Sequence, residues 1–144
     1  MENYFKISEL CIDKSKDVPQ HIADKILLYH ILPMNKVRHE LGLPINCSQN
    51  SGWRPKEWEL SKGRSGKSKH CFLIDEKGAA DWTAGDLKQL FKLILKHTEY
   101  TRIAVYPNAG FIHCDYSASK RQLFLSTNSS KWTSTTEDRI LSAL

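Results

Sequence analysis

At 144 residues with 40% apolar content, the chain can bury a core as one domain and needs no disulfide staples. A net charge of +5 and a pI near 9.0 favour an anionic partner, and nucleic acid, a teichoic-type polymer and a carboxylate-rich substrate all qualify. No apolar run reaches membrane-spanning length, and Met1–Lys6 lacks the basic and then apolar character of a secretory leader.

Residues 1–18 read as an N-terminal arm whose Phe5, Ile7, Leu10 and Ile12 can dock on the body. A helix is expected from Pro19, with Ile22, Ile26 and Leu27 on one face, until Pro33 interrupts or kinks it. A second short helix over Met34–Leu41 should stop at Gly42, and Pro44–Cys47 begins an extended segment. The polar, lysine-rich stretch 56–69 reads as a loop. Cys71–Ile74, the turn Asp75–Gly78 and Ala79–Trp82 suggest a hairpin.

Thr83-Ala84-Gly85-Asp86 has the spacing of a capping box. After it, Leu87, Leu90, Phe91, Ile94 and Leu95 repeat at helical spacing. Arg102–Tyr106, Phe111–Asp115 and Arg121–Leu125 read as successive strands, with a turn at Tyr106–Gly110. A Ser/Thr-rich tail, 126–144, ends in a helical turn from Glu137. The fold class is therefore α+β: a small antiparallel sheet, N-terminal helices and one core helix. The dispersed cysteines, Cys11, Cys47, Cys71 and Cys114, contain no C-x-x-C pair and read as buried thiols.

Three segments carry residues suited to a mononuclear metal site: Ser68-Lys69-His70, Gly78-Ala79-Ala80-Asp81 and Gly110-Phe111-Ile112-His113-Cys114-Asp115. Two imidazoles and one carboxylate give Zn²⁺ three ligands and leave a fourth position for water. Such an ion lowers the pKa of that water and polarises a carbonyl, as amide hydrolysis requires. Alternation along a strand puts Phe111, His113 and Asp115 on one face. Taken singly, each His reads more readily as a structural residue than as a ligand, and Asp81 equally as a turn or capping aspartate.

The joint order Ser-Gly-Trp-Arg (51–54), Ser-x-His (68–70), Gly-Ala-Ala-Asp (78–81) and Gly-Phe-Ile-His-x-Asp (110–115) resembles the zinc D-alanyl-D-alanine peptidase family. That group includes D-Ala-D-Ala carboxypeptidases, dipeptidases and phage L-Ala-D-Glu endolysins. The lead-in is similar too, with Phe5, Ser8, Glu9 and Leu10, then Arg38, Leu41, Gly42, Pro44 and Ile45. The likeness spans about residues 4–125.

The resemblance implies zinc ligands His70, Asp81 and His113 and the Hedgehog / D-Ala-D-Ala peptidase fold. It assigns Arg54 to the substrate carboxylate or the scissile carbonyl, for which a charged guanidinium fork is apt. Trp53 and Ser68, inside the motifs, are candidate substrate contacts. His70 and Asp81 stand further apart than the family usually places them, with Leu73–Lys77 as an inserted hairpin tip and Asp75 as a rival ligand. Several branches also put an acidic or histidine base three residues before the last ligand, where this chain has Gly110. Asp115 is the candidate general base, and its alternative role is to fix the His113 ring.

Gly66-Lys67-Ser68 ends like a phosphate-binding loop, but Ser61 stands where a glycine is needed. The Lys62–Lys69 stretch could bind nucleic acid through phosphates, or it is a solvated loop. Trp58 and Trp132 read equally as residues that stack on sugars or bases and as ordinary packing. The expected protein is thus a monomeric zinc peptidase of bacterial peptidoglycan stem peptides, without a membrane span and with nucleic acid set aside. It would be made in the cytoplasm and reach the wall on release, as a phage-type lysis or virion protein does. The alternatives are a non-catalytic zinc-binding relative and a basic nucleic-acid-binding module.

Overall fold

The computed structural model describes residues 3–12, 17–47, 52–127 and 131–144. Ser51, the first residue of the Ser-Gly-Trp-Arg motif, lies outside them.

Helix α1 (Gln20–Ile26) begins just after Pro19, runs through a π-helical turn at Leu27–Ile31, and continues as α2 (Leu32–Leu41). Pro33 bends the hydrogen-bond pattern without ending the helix. Proline has no N–H to give the carbonyl four residues earlier, that of Tyr29. The Tyr116 hydroxyl donates to the Tyr29 carbonyl instead, at 2.5 Å. The helix stops where expected, on Gly42 at φ 72°.

Strands β1 (Ile45–Cys47), β2 (Ala79–Ala84), β3 (Arg102–Tyr106), β4 (Phe111–Asp115), β5 (Gln122–Leu125) and β6 (Thr133–Ser134) form one sheet in the order β1-β2-β4-β3-β5-β6. The sheet is mixed, and this corrects the expected antiparallel one. β5 does not pair with its predecessor β4, whose edges are occupied by β2 and β3, and lies parallel to β3 on its free side. Alternation divides the sheet's faces. Ala80, Trp82, Ile103, Val105, Ile112 and Cys114 join α1, α2 and helix α4 (Leu87–His97) in the core. Asp81, Arg102, Ala104, Tyr106, Phe111, His113 and Asp115 occupy the opposite face.

Three local expectations are corrected. Lys56–Ser61 is a helix, α3, that opens after Pro55 and carries Glu57 and Glu59 in its first turn. Cys71–Ile74 is not a strand: β2 spends its edges on β1 and β4, and Lys69–Cys71 forms a 3₁₀ turn. Thr83 does not cap α4, because it stays in β2 and donates to the Gly110 carbonyl at 2.6 Å; Asp86 accepts from Gln89 N at 3.0 Å instead.

The N-terminal arm docks as expected, with Phe5, Leu10, Cys11 and Ile12 buried. Cys11 pairs with Trp53 as an isolated parallel bridge. The end of the chain packs back through β6 and helix α5 (Glu137–Ala143), burying Ile140. All four cysteines are buried. Among the described residues no helix is long and apolar enough to cross a membrane.

Candidate active site

The β2–β4 register sets Asp81 directly across from His113. His70 arrives from the 3₁₀ turn, which Ser68 caps by accepting from His70 N at 3.2 Å. Its carbonyl takes the Arg54 N–H at 2.8 Å. The candidate donor atoms of His70, Asp81 and His113 all lie within 4.8 Å of one another. Asp75 is not in this group, although it was the rival to Asp81.

The outer contacts set where each ring holds a proton when a cation occupies the inner side. His70 Nδ1 lies 2.9 Å from the Gly52 carbonyl, which can only accept, so Nδ1 carries the proton. His113 Nε2 lies 2.7 Å from Asp115 Oδ2 and donates to it in the neutral tautomer that leaves Nδ1 as a ligand. Inward, His70 Nε2 and His113 Nδ1 face Asp81 Oδ1 at 3.3 and 2.9 Å. With neutral imidazoles, three lone pairs converge and none brings a donor. Such a set calls for a cation. Tetrahedral zinc with bonds near 2.0–2.1 Å would hold its ligand atoms about 3.3 Å apart, a spacing these residues approach. The donor set therefore fits the metal the sequence implied.

Without a metal, a shared proton fills that role. Burial alone would lower the His113 pKa, but its bonds to Asp115 and Asp81 overcome this and raise it. For Asp81, burial acts to raise the pKa, and the two imidazoles outweigh it and hold the carboxyl far below its usual range.

Asp115 is fully buried behind His113. The β3–β4 register places it opposite Arg102, whose Nε lies 3.0 and 3.1 Å from its two oxygens and whose Nη2 donates to Oδ2 at 2.7 Å. Ser117 N and Oγ donate to Oδ1 at 2.9 and 2.8 Å. Every lone-pair direction of this carboxylate is thus taken within the protein. Burial pushes its pKa up, but His113 and Arg102 prevail and keep it ionised well below the normal range.

The cleft over this cluster holds about 450 Å³. Arg54, Lys67 and Lys69 line one part of it, and Tyr106, Phe111 and Trp132 another. Arg54 Nη2 donates to Ser68 Oγ at 3.1 Å, and its Nε stands 3.8 Å from buried Glu59. Trp53 does not line the cleft; its backbone joins the arm, with Trp53 N donating to the Leu10 carbonyl at 2.6 Å. A depression of similar size, about 480 Å³, lies beside Leu28, Tyr29, Leu32 and Tyr116 and does not contain the His-Asp-His group.

Sequence reasoning missed four participants: the Gly52 carbonyl, Arg102, Tyr106 and Trp132. A signal for Arg102 was present. The turn at 107–110 pairs Tyr106 with Phe111, and counting back sets Arg102 opposite Asp115. Trp132 had none, since it reaches the cleft from the chain's end, with its ring 5.0 Å from that of His113.

The His70-Asp81-His113 group, with its outer nitrogens anchored and an open cleft above it, could hold a metal ion. A family model for Peptidase M15 matches residues 3–115, most of the chain and every residue of the cradle. The chain belongs to the Peptidase M15 family, and with it to the metallopeptidases, enzymes that act on a peptide substrate. No curated protein and no solved structure matches it.

Proposed function

We propose that the protein is a zinc-dependent peptidase that hydrolyses stem-peptide bonds of bacterial peptidoglycan involving D-amino acids, of the D-Ala-D-Ala or L-Ala-D-Glu type. The observation that carries this reading is the convergence of His70 Nε2, Asp81 Oδ1 and His113 Nδ1 with no proton among them once their partners are satisfied. Zinc bound there would acidify a water and polarise the scissile carbonyl. The family match and the joint motif order support the choice of substrate.

The chain's own groups would do the rest. Arg54, Lys67 and Lys69 draw a substrate carboxylate to one side of the cleft. Arg54 is pre-aimed by Ser68 and Glu59, and it orients that carboxylate or the scissile carbonyl. Asp115 acts through His113, fixing its ring and tautomer. Water adds to the amide carbon, the C–N bond breaks, and the amine departs with one of the water's protons. Among the described residues lining the cleft Asp81 is the sole carboxylate.

The test is digestion of purified cell-wall sacculi by the zinc-loaded protein, with and without a chelator, and mass analysis of the released peptides. Chelator-sensitive release of D-alanine or of stem peptides supports the proposal. Intact sacculi and intact soluble stem peptide in the presence of one bound zinc would favour a second reading, a zinc-binding relative that does not hydrolyse. One observation favours that alternative: among the described residues no second carboxylate lines the cleft, and Gly110 occupies the position where several branches of the family carry a base.

A further inference from the structure

Tyr106 ends β3 on the same face as Ala104, whose partner across the ladder is His113. Its ring stacks on Phe111 with centroids 4.2 Å apart and planes 19° from parallel, and both rings line the cleft. The Trp132 indole N–H donates to the Tyr106 hydroxyl oxygen. Trp132 itself is held on three sides: by the Phe124 ring at 5.1 Å, the His113 ring at 5.0 Å and the Arg102 guanidinium, 4.9 Å from its centroid.

A phenol has one proton to give and lone pairs to receive. The indole takes up a lone pair, so the phenolic proton is turned away from Trp132. Among the described residues no acceptor takes it. A rigid, uncommitted donor in the wall of a cleft beside a metal cradle is the arrangement that stabilises charge developing on a reacting oxygen. Arg54 stands elsewhere in the same wall and can serve the substrate's standing charge while Tyr106 serves the transient one.

We infer that Tyr106 is a further catalytic residue, whose hydroxyl donates to the carbonyl oxygen that becomes anionic as the scissile carbon turns tetrahedral, and that Trp132 is the positioning residue that aims it. This rests on the peptidase reading above. The hydrogen bond strengthens as negative charge builds and weakens when the C–N bond breaks, and Tyr106 ends the cycle with its own proton. Trp132 belongs to the segment beyond the family match at residues 3–115, so this device is assembled partly outside the matched region.

The test uses the whole chain loaded with zinc and the stem pentapeptide L-Ala-D-Glu-L-Lys-D-Ala-D-Ala, which contains both candidate bonds. Tyr106→Phe keeps the stacking ring and removes the donor. It should lower kcat about 100-fold, leave KM nearly unchanged, and retain one zinc and the wild-type melting temperature. A phosphinate replacing the cleaved amide, a mimic of the tetrahedral state, should lose affinity by a similar factor. Trp132→Phe, which keeps a ring and loses the N–H, should fall between wild type and Tyr106→Phe in both measures. Wild-type kcat and phosphinate affinity in Tyr106→Phe would overturn the inference, and so would loss of zinc or of the fold in that variant. A wild-type protein that holds zinc and cleaves neither bond would instead remove the peptidase reading, and this inference with it.

Discussion

Arg102 and Asp115 stand directly opposite each other in the β3–β4 ladder and form a two-pronged ion pair, Nη2 to Oδ2 at 2.7 Å, whose carboxylate also holds the His113 ring. Its place behind His113, a ligand in the proposed metal site, sets a sharp expectation for Asp115→Asn. Zinc affinity should fall about 10–100-fold, measured by competition with a chromogenic chelator. Loss of a buried charge partner should also cost about 3 kcal/mol of stability in the metal-free protein. Undiminished zinc affinity combined with abolished cleavage would make Asp115 the base instead.

Gly52 lies against the N-terminal arm so closely that a Cβ there would sit 2.3 Å from the Leu10 carbonyl oxygen. Its own carbonyl fixes His70 Nδ1. Gly52→Ala should therefore destabilise the fold by about 2 kcal/mol and weaken zinc binding together. Urea unfolding and zinc titration on the same sample check this. Full stability with full zinc affinity would mean that the arm yields without disturbing His70.

The convergence of His70, Asp81 and His113 and the core helix were legible because their signals are local: Leu87, Leu90, Phe91 and Ile94 repeat at helical spacing, and each of the three site residues sits in its own short motif. What failed depended on distant partners. Thr83 looks like a cap until β2 is seen to need it for pairing with β1. Cys71–Ile74 looks like a strand until no edge is left for it. The parallel β3–β5 pair cannot be read from spacing, since Arg121–Leu125 would look the same beside either neighbour. The support behind His70 and His113 was invisible for the same reason, because a backbone carbonyl has no sequence signature.

His30 is fully buried, receiving the Tyr100 hydroxyl proton at Nδ1 and donating from Nε2 to the Lys77 carbonyl. Burial lowers its pKa to about 4, against which the Lys77 hydrogen bond works only in part. The unfolded chain takes up this proton near pH 6.5 and the folded chain does not, so stability falls as pH drops from about 6.5 towards 4. The full loss amounts to roughly 3 kcal/mol. The raised His113 acts at higher pH and the depressed Asp115 at lower pH, outside this window. Urea midpoints of metal-free protein at pH 7 and pH 4.5 should differ by most of this amount. His30→Gln should flatten the difference, and an equal pH dependence in that variant would assign it elsewhere.

The Tyr29 carbonyl, deprived of a helical partner by Pro33, depends on Tyr116. Tyr116→Phe should cost about 1 kcal/mol. In a Pro33→Ala background the restored N–H can take that carbonyl, and the same substitution should then cost much less. Equal costs in both backgrounds would mean that the tyrosine hydroxyl contributes through some other contact.

The arm's bridge from Cys11 to Trp53 has a consequence for the order in which the protein is made. On the ribosome the arm emerges before Trp53 and lacks this pairing until Trp53 follows. His70 and Asp81 are then exposed in turn, and the last ligand, His113, stays in the exit tunnel until far more of the chain has been translated. A nascent chain therefore offers at most two of the three donors until β4 has emerged. Capture of a metal by all three would wait for that strand, by which point the segments of α1, α2 and α4 are already outside the tunnel.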